Sequence, residues 1–134
     1  MKILIISNDI EQIVKLYPVF TQSDFDPLVE LYGKDGIVAA NGFEPDIILL
    51  DIVLKEGVYV PFFDWEMTLK ELKDSAKTKI IPVIIMGDLL MDGYILNARI
   101  LGAAITLDKA RTPAIAVVEE CRKVVENTRN IKAK

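Results

Sequence analysis

Pro45-Asp46-Ile47-Ile48-Leu49-Leu50-Asp51-Ile52-Val53-Leu54 holds the most informative run in the chain. Ile47–Leu50 offers no polar side, so a strand built from it must be covered on both faces, as strands of a parallel sheet are. An aspartate closes the run. Similar apolar runs occur at 3–6 (ILII), 80–86 (IIPVIIM) and 104–107 (AITL), with a weaker one at Leu28–Tyr32 closed by Gly33. Each predicts a short strand.

Helical spacing fills the intervals. Ile10, Ile13, Val14 and Tyr17 fall at i, i+3, i+4, i+7, with Pro18 expected to kink or end that helix. Trp65, Leu69, Leu72 and Ala76 share one face, as do Leu90, Tyr94, Ala98 and Leu101, with Gly102 as the stop. The stretch at 35–41 predicts a short helix. The last helix is capped by Thr112, begins at Pro113, and carries the stripe Ala114, Val117, Val118, Cys121, Val124 and Val125.

Strand and helix alternate five times. Right-handed crossovers then favour a flavodoxin-like α/β/α fold, a five-stranded parallel sheet in the order 2-1-3-4-5. Residues 1–129 form one domain in this reading, and 130–134 a tail that frays. Sites in such sheets form at the carboxyl ends of the strands. Those ends carry Ser7-Asn8-Asp9, Asp51, Gly87-Asp88 and Asp108-Lys109.

Composition excludes several chemistries. The 134 residues include 20 acids, 16 bases, no histidine and one cysteine, Cys121. Histidine-based catalysis, a histidine zinc site and a phosphohistidine are all ruled out. One cysteine allows neither an internal disulfide nor a multi-cysteine metal site, and fits the reducing cytoplasm. The net charge of −4 argues against nucleic acid as a partner. No apolar run reaches the length of a membrane span, so no membrane partner is expected. A flavin electron carrier, the distant alternative, wants a hydroxyl- and glycine-rich phosphate loop. Ser7-Asn8-Asp9-Ile10-Glu11 has one hydroxyl, no glycine and two acids.

The segments PDIILLDIVL, IPVIIM and RILGAAITLDKA, in that order and spacing, resemble the receiver domain of two-component response regulators. The resemblance covers nearly the whole chain. It implies a signalling module of a phosphorelay, a phosphoprotein and not an enzyme. Asp51 stands at the phosphoryl-acceptor position and Lys109 at that of the lysine which pairs with it. The expected partners are a histidine kinase or phosphotransfer protein and a downstream target.

The chain departs from the family elsewhere. Ser7 and Asn8 replace the acidic pair that helps hold magnesium, leaving Asp51, Asn8 and Asp9 as candidate ligands of a weak or absent Mg2+ site. Asp9 and Asp88 lie one residue from matched positions. On a strand that offset turns a side chain to the opposite face, whereas in a loop it is less binding. Gly87 replaces the switch hydroxyl, Thr106 the switch aromatic, and Ala110 the proline after the lysine. An insertion at 57–64 places Tyr59, Phe62 and Phe63 where they form either a lid or a patch for a partner or second copy. The sequence therefore reads as a degenerate receiver, with a phosphorylation-independent pseudo-receiver as the alternative. It is expected to stand alone or to be a piece of a longer protein.

Overall fold

The computed structural model describes residues 1–51, 65–87 and 92–133. Five strands, β1 (Lys2–Ile6), β2 (Asp26–Glu30), β3 (Ile47–Asp51), β4 (Val83–Gly87) and β5 (Ile105–Asp108), alternate with five helices. These are α1 (Ile10–Gln22), α2 (Gly33–Phe43), α3 (Trp65–Asp74), α4 (Asp92–Ile100) and α5 (Ala114–Ala133). All strand pairs are parallel, in the order β2-β1-β3-β4-β5. This is the flavodoxin-like arrangement expected from the alternation.

The apolar runs are explained by two cores, one on each face of the sheet. Ile3, Ile5, Ile47, Leu49, Ile84 and Met86 point to a core closed by α1 and α5, through Leu16, Phe20, Val117, Val118 and Cys121. The alternating residues Leu4, Ile6, Ile48, Leu50, Val83 and Ile85 point to the other, closed by α2, α3 and α4. Cys121 packs in the first of these cores, against α1 and the sheet, at 0% exposure, and burial pushes its thiol pKa up to about 12. Such a thiol is inert.

Several boundaries and faces differ from the sequence expectation. α1 runs through Pro18 to Gln22 instead of ending there. Leu16 and Phe20, on either side of the proline, are fully buried, and Phe20 meets Phe25 edge-to-face at 5.2 Å. That packing holds the helix across the lost hydrogen bond. The face differs too. Ile10, Val14 and Tyr17 are 53%, 66% and 43% exposed, so most of the expected stripe faces outward.

β2 begins at Asp26, two positions before the expected start, and Gly33 opens α2 instead of closing the strand. Gly36, buried within α2, is a close-approach glycine. A Cβ there would lie 2.7 Å from Cγ1 of Ile6. Ile80 is exposed and β4 starts only after Pro82. Ala76 lies beyond α3 and is exposed, whereas Trp65, Leu69 and Leu72 are core. In α4, Ala98 is buried but Tyr94 is 43% exposed, and Leu90 lies outside the described residues. Gly102 ends the segment at φ +101°, a left-handed conformation suited to glycine. α5 starts one residue past Pro113, whose carbonyl accepts from Val117, and takes in residues 130–133 of the expected tail.

Candidate functional site

Strand register assembles the acid cluster. Ile6 lies opposite Leu50, so the residues that follow, Ser7 and Asp51, face one another at the carboxyl end of the sheet. Both share the strand parity of Ile3, Ile5, Ile47 and Leu49, which point toward α1 and α5. The Ser7 hydroxyl donates to Asp51 Oδ2 at 2.9 Å and accepts the Asp9 N–H at 3.1 Å. Ser7 and Asp51 are buried, at 1% and 2% exposure.

Lys109 reaches the same oxygen from the other side of β3. Gly87 lies opposite Asp108, and the Lys109 N–H donates to the Gly87 carbonyl at 2.9 Å. The side chain is thereby aimed across the ends of β4 and β3. Its Nζ lies 2.7 Å from Asp51 Oδ2 and 3.1 Å from Asp9 Oδ2, with the lysine side chain only 6% exposed. Burial alone would depress this ammonium. The Asp51 and Asp9 carboxylates outweigh burial and hold the Lys109 pKa above the ordinary lysine value. Asp108 takes no part: its carboxylate accepts the Ala110 N–H and lies 3.7 Å from Arg111.

Asp9 enters the cluster against the face argument. β1 ends at Ile6, so strand alternation does not extend to residue 9. Asp9 is instead the N-cap of α1, its Oδ1 accepting the Gln12 N–H at 3.4 Å and its Oδ2 on Lys109. An acid immediately before an apolar periodic run is a helix-start signal. Read that way, the sequence places the Asp9 carboxylate at the mouth of the sheet. The positive end of α1 favours it there.

The remaining candidates are scattered. Asn8 is buried beside Ser7. Gly87 supplies backbone to Lys109 and no hydroxyl. Thr106 lies opposite Ile85, on the face of α4, where it lines a cavity of about 260 Å³ with Ile95 and Arg99. Asp88, Tyr59, Phe62 and Phe63 lie outside the described residues. A larger cavity of about 360 Å³, lined by Asp46, Lys77, Pro82 and Arg129, lies at the amino ends of β3 and β4, the opposite end of the sheet from Asp9 and Asp51.

The cluster's donors do not fit a magnesium ion. Magnesium wants near-octahedral hard oxygen ligands. Among the described residues no group of three or more acids, histidines or cysteines could hold a metal. Asp9 and Asp51 both bind Lys109, and the Ser7 proton is committed to Asp51.

Comparison with family models and with curated proteins finds no match. Solved structures do match. A CheY-like response regulator receiver domain protein from Methanospirillum hungatei JF-1 is 12% identical over 96% of both chains, with a TM-score of 0.83. The Francisella response regulator 1452 receiver domain is 20% identical over 95% of this chain and 98% of that one, with a TM-score of 0.80. The Mn2+-bound response regulator Rcp1 is 20% identical over 94% and 89%, at 0.68. The fold is that of response-regulator receiver domains, as the sequence resemblance implied. Among the described residues no helix is long and apolar enough to cross a membrane.

Proposed function

We propose that this chain is a receiver-like signalling module of a two-component phosphorelay, with Asp51 as phosphoryl acceptor, rather than an enzyme. The Asp51–Lys109 contact of 2.7 Å at the carboxyl ends of β3 and β5 carries the reading. In the transfer, an Asp51 carboxylate oxygen forms the new bond to phosphorus. The bond from phosphorus to the donor's leaving group breaks, and the leaving group keeps the electron pair. The Lys109 ammonium donates to the phosphoryl oxygens as a point charge. This chain has no histidine and cannot form a phosphohistidine of its own, so the phosphoryl group comes from a partner, a histidine kinase or phosphotransfer protein, or from a small-molecule donor.

A second reading, a pseudo-receiver that binds its partner whatever its phosphorylation state, draws support from Gly87 and Thr106. A phosphoryl group shifts a conformational equilibrium only through contacts that differ between the two states. Gly87 has no hydroxyl to offer and Thr106 no aromatic ring. Acetyl phosphate, with and without magnesium, separates the readings. A mass gain of one phosphoryl group that Asp51→Ala abolishes supports the phosphorelay module. No gain under either condition supports the pseudo-receiver.

A further inference from the structure

Two carboxylates from distant parts of the chain converge on one ammonium at the carboxyl end of the sheet. Asp9 Oδ2 and Asp51 Oδ2 lie 3.1 Å and 2.7 Å from Lys109 Nζ, and the lysine side chain is 6% exposed. The third neighbour, Ser7, is neutral and donates a hydrogen bond to Asp51. Counting Asp9, Asp51 and Lys109, the cluster carries a net charge of −1.

We propose that Lys109 is the resident cation of this cluster, its ammonium holding the position between Asp9 and Asp51 that a divalent ion would need. The folded chain is then closed to Mg2+ and Mn2+. A divalent ion entering here would have to displace a buried, doubly hydrogen-bonded ammonium or share the same two carboxylates with it. Sharing sets like charges beside one another in a poorly solvated site, which is unfavourable. Lysine suits the role as a compact point charge with three donors. The mutual placement is fixed by backbone: Asp9 by its cap on α1, Asp51 by the register of β3, and Lys109 by its N–H on Gly87. The proposal goes beyond the signalling reading and does not depend on whether Asp51 is phosphorylated.

Mn2+ titration of the full chain, followed by calorimetry and without any phosphoryl donor, tests it. Wild type is expected to bind no tighter than about 1 mM, the weak end for carboxylate sites. Lys109→Gln is expected to bind at least ~10-fold tighter, and adding Asp9→Asn to that variant is expected to abolish the gain. Micromolar binding by wild type overturns the proposal. So does a folded Lys109→Gln that binds no better than wild type. Reductive methylation of wild type read by peptide mass gives a measurement independent of the variant's folding. Lys109 is expected to resist labelling equally with and without millimolar Mg2+, and a severalfold rise on adding Mg2+ overturns the proposal.

Discussion

The Lys109 ammonium bridges the carboxylates of Asp9 and Asp51, joining the start of α1 to the end of β3 through a side chain that follows β5. Because the partners hold its pKa above the ordinary 10.5, the folded chain binds this proton more tightly than the unfolded chain does. The stabilisation is fully present below pH 10.5 and fades as pH rises through the higher folded value. Urea melts should therefore show a gap between wild type and Lys109→Gln that is constant at lower pH and narrows above that value. A gap that persists far into alkali would mean the lysine acts by packing alone.

Ser7→Ala removes a donor from a buried carboxylate. The cost of leaving such an acceptor short of a hydrogen bond is about 1–3 kcal/mol, measurable as a shift of the urea midpoint with unchanged slope. Ser7→Thr keeps the hydroxyl and should recover much of the loss. Equal losses in both variants would show that the hydroxyl contact with Asp51 contributes nothing.

Gly36→Ala forces a Cβ against Ile6, 2.7 Å from its Cγ1. Overpacking of this kind costs about 1–3 kcal/mol. Ile6→Ala removes the obstructing atoms, so the double variant should be more stable than the two single losses summed would allow. Strict additivity in a double-mutant cycle would place the two residues out of contact.

The two sides of α1 should respond differently to truncation. Phe20→Ala, at a fully buried ring, should cost about 3–5 kcal/mol. Val14→Ser, at a position 66% exposed, should fall within about 0.5 kcal/mol of wild type. A large loss at Val14 would mean that the outward face is covered in solution.

The strands were readable because burial on both faces leaves a plain apolar run, and Ile47–Leu50 lies fully inside. Asp51 was readable as the acid that closes one such run, whereas Lys109, one residue past Asp108, was singled out through the resemblance to receiver domains. α1 misled because it carries two apolar stripes. Ile10, Val14 and Tyr17 match the helical period as well as Leu16 and Phe20 do, and only the sheet selects between them. Asp9 was undervalued because strand alternation was carried past Ile6, where the strand ends. Gly36 had no local signal, since the side chain it accommodates belongs to a different strand.

The lysine bridge also bears on the order in which the chain assembles. Its two contacts span 100 residues, to Asp9, and 58 residues, to Asp51. Contacts so far apart in sequence close late, because loop entropy must be overcome first. Until β5 docks, Asp9 and Asp51 do not have the Lys109 ammonium between them. The ammonium arrives with the last strand, so the fall in the cluster's negative charge from −2 to −1 reports that the sheet is complete.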